Sequence, residues 1–195
     1  EPSGRSVREL CLDHQDRPHN PFLPGGAMVC ASLIKPDQPL ADRFDHIVDV
    51  TRRLAGGVSP GFCNSIFLTE RRSSPRNHAI AHMVREKNGF PDARAMPDAL
   101  DLWFMGCAIE MSTEDLSVVA ATLANGGVSP VTGEQVLSVS TVRAVLSIMF
   151  SCSMYDFSGE YAWLCGVPSK SGASGVIMMV VPGVLGCAVY SPRLD

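Results

Sequence analysis

A tyrosine and a Lys-Ser-Gly tripeptide are the residues of this sequence whose types and spacing most directly suggest chemistry. Tyr155 lies in a turn-rich stretch, and Lys170-Ser171-Gly172 follows it fifteen residues later, just ahead of an apolar run. At the edge of a sheet, such a tripeptide would let an ammonium and a hydroxyl face a cleft while the glycine lets the backbone approach a substrate closely. The alternative is a solvent-exposed loop, because a tripeptide alone is weak information.

The tripeptide resembles the K-T-G element of the penicillin-recognising serine acyl-transfer enzymes, which also need a Ser-x-x-Lys nucleophile. This chain has one match to that pattern, Ser32-Leu33-Ile34-Lys35. One helical turn would bring the hydroxyl and the amine to the same face, where a neutral lysine could activate the serine. However, Pro36 follows Lys35 at the end of a short predicted helix, which is a poor place to desolvate an ammonium and lower its pKa. We therefore interpret this match as a chance occurrence.

Histidine and cysteine patterns do not indicate a metal or disulfide protein. His78 and His82 have the spacing of a helical zinc pair, but no third ligand is evident, and ordinary helix histidines explain them better. The seven cysteines are odd in number, scattered, and contain no C-x-x-C pair, which favours reduced, buried thiols in an intracellular protein. We therefore expect neither a metal nor another cofactor.

Glu70 and Asn77 place a carboxylate and an amide in the stretch TERRSSPRN, which we interpret as a turn just ahead of a helix. Together these groups could bind the α-ammonium and the α-carboxylate of an amino acid. The alternative is structural, with a helix cap and surface ion pairs.

The elements that must position these residues are mostly helices. Prolines or capping residues open apolar patterns of helical period, and glycines end several of them. The predicted helices cover about 26–34, 40–54, 75–87, 97–107, 113–124 and, after a cap at Ser140, 141–152. The segment 176–190 is instead two apolar runs joined by Pro182-Gly183, which predicts a buried β-hairpin. No other strand is convincing, so we expect the remaining strands of its sheet in an upstream segment.

Composition excludes two classes of partner. The chain has 195 residues, of which 46% are hydrophobic, and a net charge of −4 with basic residues interleaved among acids. This balance argues against nucleic acid as a partner. The longest apolar stretch is interrupted by Pro182-Gly183 and is too short to span a bilayer, so we expect no membrane segment. The first residues, Glu-Pro-Ser-Gly, indicate that the sequence begins inside a longer protein.

Across its whole length the sequence resembles the serine-dependent glutaminases, and the phosphate-activated animal enzymes more than the bacterial ones. The resemblance rests on two residue pairs, Glu70-Arg71 and Arg76-Asn77, and on ordered motifs. These are EPSG (1–4), PHNP (18–21), SLIK (32–35), GFCNSIF (61–67), AATLANGG (120–127), TGEQVLS (132–138), MYDFSG (154–159) and KSG (170–172). The match covers the middle and later part of the family's catalytic domain.

The resemblance implies an α+β fold of the β-lactamase/transpeptidase type, with residues 20–150 mainly helical and residues 151–195 holding the tyrosine, the tripeptide and the hairpin. It implies hydrolysis of L-glutamine through an acyl-serine intermediate. Tyr155 would relay the proton, the backbone N–H of Ala173 would contribute to the oxyanion hole, and Glu70 and Asn77 would hold the amino-acid end of glutamine. The family's catalytic Ser-x-x-Lys would lie upstream of this chain, and SLIK would be a separate, non-catalytic segment.

Two replacements, together with the absence of the nucleophile from residues 1–195, keep a second interpretation open. Pro24 replaces an asparagine whose amide contacts substrate, and Trp103 replaces a substrate-contacting tyrosine. Cys11 replaces an aromatic residue in a loop, Leu10-Cys11-Leu12, that joins dimers into tetramers and responds to phosphate in the family. The resemblance implies a homodimer or homotetramer, activation by phosphate, and a mitochondrial location, with the cytoplasm as the alternative. A non-catalytic glutaminase-like protein that serves binding or assembly is the competing function.

Overall fold

The computed structural model of the protein describes residues 12–193. This part of the chain combines helices with short antiparallel strands, which confirms the α+β prediction. The helices are α1 (Pro24–Leu33), α2 (Leu40–Leu54), α3 (Asn64–Ser73), α4 (Pro75–Glu86), α5 (Met96–Cys107), α6 (Thr113–Ala124), α7 (Val139–Cys152) and α8 (Ser158–Leu164). The strands are β1 (Gly61–Phe62), β2 (Ile109–Glu110), β3 (Ser169–Ser171), β4 (Val176–Val181) and β5 (Leu185–Tyr190). Two short 3₁₀ helices occupy Ala93–Ala95 and Tyr155–Phe157.

Local sequence signals explain where most of the helices begin. Ser112 caps α6 in a capping box, because its hydroxyl accepts from the Asp115 N–H while the Asp115 carboxylate accepts from the Ser112 N–H. Ser138, rather than the predicted Ser140, caps α7 through a 3.1 Å bond from the Thr141 N–H. α3 was not predicted at all.

The chain divides into two compact units, of which the first contains residues 12–47 and 61–110. Its core forms where α1 and α4 pack against α5, with Met28, Val84 and Phe104 fully buried. Arg43 is only 2% exposed, and its guanidinium donates to the carbonyls of Ile34 and Ala31, both at 2.8 Å. It thereby satisfies the Ile34 carbonyl and adds a second donor to the Ala31 carbonyl, which also accepts from the Ile34 N–H at 3.2 Å.

The second unit contains residues 48–60 and 111–193 and is built on an antiparallel sheet in the order β3-β4-β5. β4 and β5 form the predicted hairpin, with Val181 paired to Leu185 beside the turn. α6 packs on β5 and β4 so closely that a Cβ on Gly186 would lie 2.0 Å from the Ala121 nitrogen. The expectation that no strand other than the hairpin lies in this chain was wrong. Lys170 lies in a further strand, β3, and is paired with Met178 in β4.

The cysteines differ from their predicted burial. The six cysteines within residues 12–193 are free thiols, but only Cys152 is buried, while Cys30, Cys107 and Cys165 are exposed. Across the same residues, none of the helices combines the length and the apolar character needed to cross a bilayer. The described residues also contain no group of three or more potential ligands arranged to hold a metal ion.

Candidate active site

Tyr155 lies in the second unit, in the short connection between α7 and α8. Its φ is +56°, a left-handed conformation that is uncommon for a residue other than glycine, asparagine or aspartate. The hydroxyl of Ser158 donates to the Tyr155 carbonyl at 2.6 Å. Sparsely populated backbone conformations of this kind concentrate at functional sites, where the surrounding structure holds them in place.

Lys170 reaches Tyr155 from β3. Its Nζ lies 3.4 Å from the Tyr155 hydroxyl and 4.6 Å from the centre of the phenol ring, and it also donates to the Ser171 carbonyl. Burial lowers the pKa of Lys170 to about 8, because the ammonium is poorly solvated, while the nearby Cys152 thiol acts in the opposite direction. An amine with a pKa near neutrality can carry a proton or release one during a reaction.

Ala173 lies in the turn between β3 and β4. The Gly172 N–H donates to the Val176 carbonyl at 2.8 Å, and the Gly175 N–H donates to the Gly172 carbonyl at 3.1 Å, so the turn is fixed on both sides of Ala173. Within residues 12–193, no acceptor takes the N–H of Ala173, which is exposed. A fixed main-chain donor that has no internal partner is what an oxyanion hole requires.

Glu70 and Asn77 belong to the first unit, on either side of the junction between α3 and α4. Glu70 is in the last part of α3, a helix that was not predicted, while Asn77 lies in the first turn of α4. The hydroxyl of Ser74, at the junction, donates to the Glu70 carboxylate at 2.7 Å. A second bond of 3.0 Å joins the His78 ring to the Arg71 carbonyl across the same junction.

The environment of the Glu70 carboxylate includes a thiol that the sequence did not point to. Although the residue is exposed overall, crowding of its sulfur by neighbouring atoms, and secondarily the negative charge of Glu70, raise the pKa of Cys107 to about 11. The thiol therefore stays protonated at neutral pH. A carboxylate oriented by one hydroxyl retains acceptor positions that could bind an ammonium group.

Trp103 and Pro24, the two departures from the family pattern, are also in the first unit. Trp103 packs against the core, with its ring 5.2 Å from that of Phe104. Pro24 is in the first turn of α1, where its missing N–H and fixed φ suit a helix start. Both replacements are therefore compatible with the local structure.

The structure thus brings Tyr155 and Lys170 into contact in the second unit and places Glu70 and Asn77 on adjoining helices in the first. SLIK has no such arrangement: Ser32 is buried and bonded to the Val29 carbonyl, whereas Lys35 is exposed beyond the end of α1. Sequence reasoning missed Ser158, although its place three residues after Tyr155 is the signal of a hydroxyl returning to the backbone.

An apolar groove of about 430 Å³ lies elsewhere in the second unit. It contains none of the predicted site residues and is lined mainly by α7, with Arg143 as its one charged side chain. Its shape and lining therefore give no support to the predicted chemistry.

Comparison with known proteins agrees with the resemblance seen in the motifs. The family model for glutaminase matches residues 1–195. A Caenorhabditis elegans protein that carries a glutaminase name is 49% identical over 195 residues, which is all of this chain and 33% of that protein. The mitochondrial liver isoform of glutaminase from Rattus norvegicus is 47% identical over 195 residues, again all of this chain and 32% of the relative.

Solved structures define the class of fold. A crystal structure of a Bacillus glutaminase superposes with a TM-score of 0.89 at 30% identity, over 100% of this chain and 67% of that one. The fold is accordingly the β-lactamase-like α+β fold of these enzymes. The chain belongs to the glutaminase family. It spans about a third of the length of the animal relatives that it matches.

Proposed function

We propose that the protein containing this chain hydrolyses L-glutamine to L-glutamate and ammonia through an acyl-serine intermediate, and that residues 1–195 are part of its catalytic domain. The observation that carries the proposal is the contact between Tyr155 and Lys170, in a chain that matches the glutaminase family over all its residues. A phenol beside an ammonium of lowered pKa is suited to proton transfer during acylation and deacylation.

Tyr155 is the proposed proton relay. In acylation the serine oxygen attacks the side-chain carbonyl of glutamine, the C–N bond breaks, and the nitrogen leaves as ammonia after receiving a proton. Tyr155 would pass the serine proton to that nitrogen, and in deacylation would pass a proton from water back to the serine. The N–H of Ala173 would stabilise the negative carbonyl oxygen in both steps; an alanine where the family has valine matters little, since the donor is main chain.

The nucleophile is proposed to be a Ser-x-x-Lys upstream of this chain. Ser32 and Lys35 are unsuited to the role, because the hydroxyl is buried and committed to a helix carbonyl while the amine is exposed. In the resulting division of roles, this chain supplies proton transfer, oxyanion stabilisation and substrate binding.

Substrate recognition is assigned to the first unit. The Glu70 carboxylate would bind the α-ammonium of glutamine, and the Asn77 amide would donate to its α-carboxylate. Trp103 and Pro24 stand at positions that contact substrate in the family, but neither supplies the family's polar group there. We expect these two replacements to reduce affinity for glutamine rather than to change the reaction.

The location, oligomeric state and activation of the protein are proposed from its resemblance to the relatives. We propose a mitochondrial location, which the name of the Rattus norvegicus relative supports, with the cytoplasm as the alternative. A homodimer or homotetramer and activation by phosphate are also proposed; residues 10 and 11 of the corresponding loop lie outside the described residues. A non-catalytic binding or assembly protein is the second candidate, favoured by Pro24 and Trp103.

The test begins with the reading frame ahead of Glu1. A Ser-x-x-Lys within about one small-domain length upstream, together with ammonia and glutamate released in equal amounts from glutamine by the full-length protein, would support the enzyme. A full-length protein that lacks the motif and releases neither product, yet still binds glutamine, would establish the non-catalytic candidate.

A further inference from the structure

The backbone of Tyr155 needs a local constraint. Its φ of +56° brings the Cβ of an L-residue close to backbone atoms, and the segment around it is only a single 3₁₀ turn, Tyr155–Phe157. Two backbone bonds close this turn: the Phe157 N–H donates to the Met154 carbonyl at 3.1 Å, and the Ser158 N–H donates to the Tyr155 carbonyl. A turn this short leaves several conformations open to the tyrosine, so other contacts must select the observed one.

Ser158 supplies those contacts. Its side chain is 2% exposed, and its hydroxyl makes two bonds to the backbone on either side of Tyr155. It donates to the Tyr155 carbonyl at 2.6 Å and accepts from the Met154 N–H at 3.1 Å. The two bonds restrict rotation about φ and ψ of Tyr155, because the Met154 N–H precedes its Cα and the Tyr155 carbonyl follows it.

The lysine that faces the phenol is held independently of Ser158. Lys170 is paired with Met178 in the sheet, and the preceding Ser169 carbonyl accepts from the buried hydroxyl of Ser153. Loss of the Ser158 hydroxyl would therefore move the tyrosine while the lysine stays in place.

We propose that Ser158 is a positioning residue for Tyr155. The two hydrogen bonds of the Ser158 hydroxyl hold the tyrosine backbone in the left-handed conformation that directs its phenol toward Lys170. This inference rests on the proposed function, because it assigns Tyr155 to proton transfer. Ser158 itself touches neither substrate nor nucleophile in this role.

The test uses Ser158→Ala in the full-length protein. We expect kcat to fall by about 10- to 100-fold while KM changes less than twofold, because a small displacement of a positioned group slows the chemistry without weakening binding. Ser158→Thr keeps the hydroxyl and should recover most of the rate. The matched control is Ser147→Ala, which removes an exposed helix hydroxyl bonded at 2.8 Å to the Arg143 carbonyl and should leave kcat unchanged.

A double-mutant comparison separates positioning from general stability. In a Tyr155→Phe background, Ser158→Ala should lower kcat less than twofold further, because the phenol on which it acts is already absent. An equal fractional loss in both backgrounds would overturn the proposal. So would a lowered Tm with an unchanged kcat in the Ser158→Ala variant.

A spectroscopic readout keeps this inference distinct from the proposed function. In protein carrying ¹³C-labelled tyrosine, the Tyr155 ring resonance, assigned by its loss in Tyr155→Phe, should shift in Ser158→Ala and not in Ser147→Ala. If the unaltered protein does not hydrolyse glutamine, the proposed function fails while the resonance still decides whether Ser158 positions Tyr155. An unmoved resonance would contradict the positioning role.

Discussion

The Nζ of Lys170 lies 3.4 Å from the Tyr155 hydroxyl and 4.6 Å from the centre of its ring. The two residues are fifteen positions apart and reach one another from a strand and from a left-handed turn. A cation at this distance stabilises negative charge that develops on the phenol oxygen when it gives up its proton. Two predictions follow directly from the pair.

The first concerns the phenol. In the full-length protein, Tyr155→Phe should keep the packing of the ring and lower kcat by about 10² to 10⁴, because it removes only the group that transfers the proton. KM should change much less. Steady-state assays of ammonia release, with Tm measured on the same variant, provide the test. A phenylalanine variant that retains its kcat and loses only thermal stability would make Tyr155 a structural residue.

The second concerns pH. Because burial lowers the pKa of Lys170 to about 8, the ammonium is present at pH 7 and is lost as the pH rises through 8. We therefore expect kcat to decline above about pH 8. The Cys152 thiol faces the same amine, but burial raises its pKa, so it remains neutral through this range. In Lys170→Arg, whose guanidinium stays charged, activity relative to the value at pH 7 should remain level up to pH 9.

The arginine variant also identifies the group responsible for the decline. A decline that persists unchanged in Lys170→Arg would assign it to another titrating group, such as the proposed upstream lysine. Lys170→Met serves as the neutral control and should show a low kcat at every pH.

The sequence predicted the terminal hairpin because its signal is local: two apolar runs joined by Pro182-Gly183. It also placed most helix starts within a few residues, since prolines and capping hydroxyls act on their immediate neighbours. β3 was not predicted, because three residues are too few to show the alternating pattern of a strand and its conformation depends on pairing with β4. α3 was not predicted for a different reason. Its polar residues around Glu70 resemble those of a turn, and no capping side chain marks its start.

The sequence identified several site residues by their type, but it could not show which of them contact one another. Lys170 and Tyr155 were recognisable from their motifs, whereas their contact depends on where α7 ends and β3 begins. Ser158 has the i, i−3 spacing at which a serine hydroxyl commonly returns to the backbone, but this spacing does not show which backbone conformation the bond holds. The proximity of Cys107 to the Glu70 carboxylate leaves no spacing pattern in the sequence.

Pro24 provides a test of substrate recognition. Pro24→Asn in the full-length protein should raise kcat/KM for glutamine by about 5- to 150-fold, since a buried amide contact with an otherwise unpaired partner is worth about 1 to 3 kcal/mol. Stability should fall by no more than about 1 kcal/mol, because only the proline's preference for a helix start is lost. Pro97→Asn, at the start of α5, is the matched control and should leave kcat/KM unaltered. An unchanged kcat/KM in Pro24→Asn would show that this position does not contact the substrate.

The 195-residue chain by itself should release no ammonia from glutamine, because binding and polarising groups without an activated nucleophile give no acyl-enzyme. Ser32→Ala in the full-length protein should leave kcat unchanged, since that hydroxyl is bonded to the Val29 carbonyl at 2.6 Å. Comparing ammonia release by the chain, the full-length protein and the Ser32→Ala variant tests both statements. Activity of the isolated chain that disappears with Ser32→Ala would instead make Ser32 the nucleophile.

Gly186 tests the packing that supports the sheet carrying Lys170. A Cβ at this position would lie 2.0 Å from the Ala121 nitrogen and 2.2 Å from the Ala120 carbonyl carbon, both backbone atoms of α6. Because backbone cannot give way as a flexible side chain can, Gly186→Ala should lower the free energy of unfolding of the full-length protein by about 1 to 3 kcal/mol or more. Gly159→Ala in α8 is the matched control: nothing lies within 4 Å of its added Cβ, and alanine is favoured over glycine in a helix by about 0.5 to 1 kcal/mol. Urea unfolding of the two variants should therefore move the midpoint in opposite directions, and a Gly186→Ala variant as stable as the parent would contradict the close contact between α6 and β5.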